Sequence, residues 1–164
     1  MKSEDYGEDY QSHLLEQYKL YVEMADRVSQ RRDQSNRFYV TIVSALAAIV
    51  VIIARLGVSE GRTEVILSSN GAFLAAGLFG LALSAVWFFN IRSYRALNNA
   101  KFKIIHRMEK RLPIAAYKEE WKIARPPKKN RPYFQLTRVE QFVPVIFMAL
   151  SVALAAYAIY LLSI

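Results

Sequence analysis

The sequence predicts an all-α membrane protein with three transmembrane helices, the first two extended into a cytoplasmic helical hairpin. Of its 164 residues, 54% are hydrophobic, and they cluster in uncharged stretches at 38–54, 65–91 and 141–164. An α-helix rises about 1.5 Å per residue and the hydrocarbon core of a bilayer is about 30 Å thick, so about 20 mostly apolar residues cross it. Three buried helices of a soluble protein are disfavoured, because too few residues remain to cover them.

The chain begins with a loose acidic tail, expected at residues 1–10, and continues into a cytoplasmic helix at 11–37. Neither Gly nor Pro occurs in residues 11–37. An apolar stripe with steps of three and four residues is typical of one face of a helix. We predict that this stripe packs against other cytoplasmic helices through Leu14, Tyr18, Tyr21 and Ala25.

The first span is predicted at 38–57 and the second at 70–90, joined by a short outside loop at 58–69. Arg55 can extend towards the far headgroups, which lets the first span reach residue 57. The second span carries four small residues at four-residue steps, which let helices approach closely in lipid. We predict membrane helix packing at Ala72, Ala76, Gly80 and Ser84, against the alternative that such residues are merely common in membrane helices.

A basic cytoplasmic segment is predicted at 91–141, and the third span follows at 142–163. The segment continues the helical stripe, with Leu97, Ile104 and Met108 as packing residues. A short helix is expected around residues 117–121, because Pro113 ends the preceding one. The Pro-rich run after it reads as a loop. Its basic residues are either solvated or in contact with anionic lipid headgroups: Arg125, Lys128, Lys129 and Arg131.

The orientation follows from the distribution of Lys and Arg. Residues 1–37 carry six of them and residues 92–140 carry fourteen, whereas the connector between the first two spans carries two. Positive residues favour the cytoplasmic side. The sequence therefore predicts a cytoplasmic N-terminus and an outside C-terminus.

The formal net charge of +8 raises the alternative of a nucleic-acid-binding protein. Residues 92–140 alone carry +10. Juxtamembrane Lys and Arg are attracted to anionic headgroups by about 1 kcal/mol each. Membrane lipids, anionic ones included, therefore explain the charge better, and no nucleic-acid partner is expected.

No ionisable residue lies in the central part of any predicted span. Ion-coupled transporters usually need one there, so this class is disfavoured. A passive pore is still compatible with the sequence, and Thr41 and Ser44 are its candidate lining residues, unless they bond to their own helix.

No enzyme activity is expected. The chain has no Cys, its two His residues are isolated, and it has no P-loop, zinc-protease or nucleophile-elbow motif. We therefore predict no catalytic residue, no metal site and no cofactor.

Three stretches carry a family resemblance: HLLEQYKLYVEMADR at 13–27, LNNAKFKIIHRMEKRLP at 97–113 and LTRVEQFVP at 136–144. They resemble the RipA family of octameric bacterial membrane proteins. The resemblance covers most of the cytoplasmic portion and little of the spans. It implies a homo-octamer in the bacterial inner membrane, and it carries no established catalytic activity with it.

The leading functional hypothesis is a non-enzymatic homo-oligomeric inner-membrane assembly, acting as a scaffold or a channel-like ring with a cytoplasmic collar. One alternative is a pore-forming or membrane-disrupting effector of a stress or phage-defence system, because small spans without a catalytic site suit that role. Another is an accessory subunit of a larger membrane complex, which would purify with foreign chains.

Overall fold

The computed structural model describes residues 6–60, 63–124 and 136–163, and it gives the backbone alone at 56–60, 63–69, 121, 124 and 136–139. These residues form four helices: α1 (Tyr10–Glu60), α2 (Thr63–Glu109), α3 (Ala116–Ala124) and α4 (Leu136–Leu162). None of the residues that the structure describes lies in a β-strand. The prediction of an all-α fold is confirmed.

Three of the described helices, α1, α2 and α4, are long and apolar enough to cross a membrane, as the sequence predicted. The segment 58–69, expected as a loop, is helical at 58–60 and 63–69. The segment contains no Pro, and extending an existing helix by one residue costs far less than starting a new one. The backbone therefore stays helical on both sides of residues 61–62.

The chain divides into two compact units, and both long helices contribute to each. The charged unit contains residues 1–32 and 93–134, and the apolar unit contains residues 33–92 and 135–164. The first is built from the N-terminal part of α1, the C-terminal part of α2 and the whole of α3. The second is built from the remaining parts of α1 and α2 together with α4.

In the charged unit, α1 and α2 run antiparallel. The guanidinium of Arg111 donates a hydrogen bond to the Tyr10 hydroxyl (2.8 Å), and the ammonium of Lys101 lies 5.7 Å from the centre of the Tyr21 ring. The residue number on α2 therefore decreases as the number of the residue that it contacts on α1 increases. The side chains buried in this unit recur at helical spacing on both helices: Leu14, Ala25, Val28, Ile105 and Glu109.

In the apolar unit, α2 is the central helix. Within the apolar 18-residue segment of each spanning helix, 28% is buried inside the chain for α2, compared with 11% for α1 and 6% for α4. The Trp87 ring of α2 stacks on Tyr39 of α1, with ring centres 5.7 Å apart, and lies 6.3 Å from the Phe147 ring of α4. The outward side chains of α1 and α4 are mostly apolar, which suits a lipid environment.

The buried face of α2 in the apolar unit follows steps that alternate between four and three residues. This face is formed by Phe73, Gly77, Gly80, Ser84, Trp87 and Ile91. Alternating steps average 3.5 residues, close to the 3.6 residues of one helical turn, so the side chains stay on one side of the helix. This alternation aligns the face with α1 and α4 over five turns.

Two glycines of that face allow α2 and α4 to approach closely. A Cβ atom added at Gly77 would lie 2.9 Å from the backbone nitrogen of Ala155 and 3.0 Å from the backbone oxygen of Ser151. A Cβ atom added at Gly80 would lie 2.7 Å from the Ser151 hydroxyl. Because the atoms that meet Gly77 belong mainly to the backbone, α4 would have to move to make room.

We expect Gly77→Ala to lower the stability of the protein by about 1–3 kcal/mol, because overpacking a helix contact displaces backbone. Thermal unfolding of the purified protein in nanodiscs measures the change. Gly71→Ala is the matched control: it lies on the same helix and a Cβ there meets nothing within 4 Å. Equal unfolding temperatures for the two variants would show that the close approach at Gly77 does not matter.

Candidate assembly site

A buried carboxylate, that of Glu109, connects the three helices of the charged unit. Its Oε1 atom accepts a hydrogen bond from the backbone N–H of Tyr117 in α3 (2.7 Å) and another from the Tyr18 hydroxyl in α1 (3.4 Å). Glu109 is 1% exposed and is the last residue of α2. One side chain therefore joins α1, α2 and α3.

The carboxylate stands at the N-terminus of α3. Tyr117 is the second residue of that helix, where the backbone N–H groups have no partner within the helix. A negative charge is stabilised there, because the helix dipole is positive at this end. Glu109 thus caps α3 from another helix, as an Asp or Ser in the chain just before a helix ordinarily does.

Burial and the Glu109 carboxylate both raise the pKa of the neighbouring Tyr18 phenol above its usual value of 10.0, and burial is the larger cause. Burial also raises the pKa of Tyr117, with Asp26 as the next cause. Phenols with a pKa at or above 10.0 carry their protons at physiological pH, so the Tyr18 hydroxyl can donate its hydrogen bond to Glu109.

The second oxygen of Glu109, Oε2, is buried and has no hydrogen-bond partner among the described residues. A buried acceptor without a partner costs about 1–3 kcal/mol. The ring of Tyr117 packs edge-on against Phe102, with centres 5.5 Å apart and planes at 79°. Aromatic packing of this kind contributes about 0.5–1.5 kcal/mol and helps to hold α3 in place.

In the apolar unit, several polar side chains form hydrogen bonds next to the aromatic contact between α1 and α2. The indole N–H of Trp87 donates to the side-chain oxygen of Asn36 (3.0 Å). The side-chain nitrogen of Asn90 donates to the hydroxyl of Ser35 (2.9 Å) and to that of Tyr39 (3.4 Å). These bonds pair polar groups that would be costly to leave unpaired at the edge of an apolar core.

The predicted cytoplasmic packing residues differ in how deeply they are buried. Leu14 and Ala25 are buried within the chain, and Leu97 is 47% exposed. The remaining four are half-buried: Tyr18, Tyr21, Ile104 and Met108. On α2 the centre of the buried face is Ile105, one residue beyond the predicted stripe.

The predicted membrane-packing residues also differ in position. Gly80 and Ser84 are buried, whereas Ala72 and Ala76 are half-buried. A ladder with four-residue steps turns about 40° at each step, so its members cannot all face one neighbour. The hydroxyl of Ser84 is buried without a hydrogen-bond partner in the described part of the chain.

The two candidate pore-lining residues, Thr41 and Ser44, are exposed in the single chain. The Thr41 hydroxyl donates to the backbone oxygen of Arg37 (2.9 Å), so it bonds to its own helix. The predicted headgroup-contacting residues lie outside the described residues: Arg125, Lys128, Lys129 and Arg131. Among the described residues, no group of three or more His, Asp or Glu could hold a metal ion.

Glu109 and Gly77 are the principal residues that the sequence prediction missed. Glu109 is the one acidic residue in 92–113, a segment with seven Lys and Arg. That isolation is a signal, because an acid among bases on a helix often has a specific partner. Gly77 could have been found by testing alternating steps of four and three instead of steps of four.

These features define a class: an α-helical protein that spans a membrane several times and carries a charged helical unit. A family model described as the octameric membrane protein family (8xMP) matches residues 15–160. The chain belongs to this family. The name indicates octameric self-assembly, which agrees with the resemblance stated from the sequence, although the name RipA is not part of it. Neither the curated proteins nor the solved structures gave a match.

We expect Glu109→Ala to release α3. The N–H of Tyr117 and the hydroxyl of Tyr18 lose their common acceptor, which costs about 1–3 kcal/mol. Amide hydrogen exchange should become faster across α3, with a lower unfolding temperature.

Glu119→Ala is the control, because Glu119 lies on the same short helix and its ion pair with Lys122 is exposed. Its effect should stay within about 0.5 kcal/mol. If both variants protect the amides of α3 equally well, Glu109 does not hold this helix.

Proposed function

We propose that the protein is a non-enzymatic homo-octamer of the bacterial inner membrane, in which the apolar unit crosses the bilayer and the charged unit forms a cytoplasmic collar. Its role is that of a ring-shaped scaffold. The proposal assigns no catalytic step and no cofactor, since the sequence carries none of the common catalytic or metal-binding motifs.

One observation carries the proposal: the charged unit exposes large apolar side chains. The unit holds seventeen Lys and Arg and ten Asp and Glu, which keeps it out of lipid. Yet Leu20 is 54% exposed, Leu97 47%, Ile114 72% and Ile123 79%. Covering such side chains is favourable by about 25 cal/mol per Å², and neighbouring copies can cover them.

The orientation rests on the distribution of Lys and Arg. The charged unit carries most of the basic residues of the chain, and such segments stay on the cytoplasmic side. The Pro-rich run at 125–132 leads from this unit towards α4, and we propose that its basic side chains contact anionic headgroups.

Native mass spectrometry of the protein in nanodiscs tests the assembly. We expect a single species of eight chains of 18.8 kDa, about 150 kDa in total. A monomer would overturn the proposal, and a complex with foreign chains would favour an accessory subunit instead. Planar-bilayer recording of the same sample separates a scaffold from a channel: a scaffold passes no current, and steady conductance would replace the scaffold role by that of a channel.

The topology is tested by labelling introduced cysteines, since the chain has none of its own. Lys103→Cys and Ser163→Cys replace exposed residues of the charged unit and of the end of α4. In intact spheroplasts a membrane-impermeant maleimide should label Ser163→Cys, and Lys103→Cys only after the membrane is opened. The reverse pattern would place the charged unit outside.

A further inference from the structure

The α1–α2 pair of the charged unit has two edges, and α3 covers one of them. Tyr117 of α3 lies against Phe102 and bonds to Glu109 through its backbone N–H. The hydroxyl of Tyr18 bonds to the same carboxylate. The α3 edge therefore runs along the sides of α1 and α2 that carry these residues.

The opposite edge is marked by a shallow cavity of about 230 Å³, lined by residues that include His13, Gln17 and Arg111. Residues seven apart lie on nearly the same side of a helix. Arg111 therefore shares its side of α2 with Ile104 and Leu97, and Gln17 shares its side of α1 with Met24. We call this edge the open face, and its apolar members are Leu20, Met24, Leu97, Ile104 and Met108.

The open face is apolar and has no partner within the described chain. Leu20 is 54% exposed and Leu97 47%, while Met24 and Ile104 are half-buried. Exposed Gln17, Arg31 and Arg111 lie along the same edge. Because these polar and charged groups need water or a polar partner, lipid tails cannot cover the face.

Exposed apolar side chains also occur on the opposite edge, on and just before α3, beside the exposed ion pair of Glu119 and Lys122. Ile123 is 79% exposed, and Ile114, just before α3, is 72% exposed. Tyr117 faces inward, so the sides of α3 that carry Ile123 and Glu119 face away from the pair. The charged unit thus exposes apolar side chains on two opposite edges, and on the α3 edge they lie beside charged residues.

We propose that the open face of one subunit binds the α3 outer surface of the next subunit, in a repeating contact around the octamer. This inference rests on the proposed homo-octamer. A ring of identical subunits related by rotation needs two different, complementary surfaces on each chain. The occupant of the open face is therefore a second copy of this chain, and α3 is the element it presents.

The arrangement explains the position of α3. Helix α3 is nine residues long, too short to be stable in water by itself. Glu109 and Phe102 hold it on one edge of the pair, with Ile123 exposed on its outer side. Placed there, it serves as the ridge that fills the open face of the neighbour.

Cysteine cross-linking of the full chain in nanodiscs tests the contact. The double variant Leu97→Cys/Ile123→Cys should give, after oxidation, a ladder of covalent species that reaches eight chains. Each single variant should give no ladder. Gln30→Cys/Ile123→Cys is the matched control, because Gln30 is exposed on the side of α1 turned away from α2.

Charge insertion provides a second measurement that does not depend on thiol geometry. Leu97→Glu should reduce the octamer in native mass spectra at least ten-fold, while Gln30→Glu leaves it unchanged. Unchanged helix content by circular dichroism would show that Leu97→Glu still folds, as expected for an exposed position.

The possible results separate the two proposals. If the unmodified protein is not an octamer, the proposed function fails first. If it is an octamer, but the cysteine pair gives no ladder and Leu97→Glu stays octameric, the interface alone is overturned. A covalent dimer from Leu97→Cys alone would overturn it in favour of two open faces in contact, and cross-linking to a foreign protein would overturn the choice of a second copy.

Discussion

The close contact of α2 with its neighbours is the constraint on which the apolar unit depends. Gly77 and Gly80 let α4 approach so closely that an added Cβ would meet its backbone at Gly77 and the Ser151 side chain at Gly80. Lipid tails are as apolar as the helices, so no hydrophobic force drives one helix against another in the membrane. Dispersion contacts between closely packed atoms must hold the helices together instead. The Trp87 ring also stacks on Tyr39, and its indole N–H donates to Asn36. These two contacts favour one orientation of α2 against α1.

The charged unit is held together by a different kind of force. There the hydrophobic effect acts, and a few buried apolar residues such as Leu14 and Ile105 form a small core. Glu109 supplements that core by joining three helices through one carboxylate. A small unit of this kind buries little surface, so polar contacts such as those of Glu109 matter more to its stability than they would in a large domain.

The same two long helices, α1 and α2, meet different environments in the two units. Lipid selects for apolar side chains around the whole of α1 and α2 in one unit, and water selects for a one-sided apolar stripe in the other. A family of octamers suits this division. The outward apolar side chains of the apolar unit suit lipid, and neighbouring copies in the proposed octamer would cover those left exposed in the charged unit, such as Leu97 and Ile123.

The sequence by itself determined the helical class and the three helices of spanning length, because these depend on local composition and length. Its resemblance to a family of octameric membrane proteins rested on three specific stretches, and the family model agrees with that coarser description. The sequence also located α3 between Pro113 and the basic run. Only the tertiary structure decided which face of each helix is buried: an apolar helix in lipid has no polar side to reveal its orientation, and the true face included Gly77 instead of Ala76. The function of Glu109 was likewise hidden, because its partner Tyr18 is 91 positions away in the chain and no local pattern records a contact between distant residues.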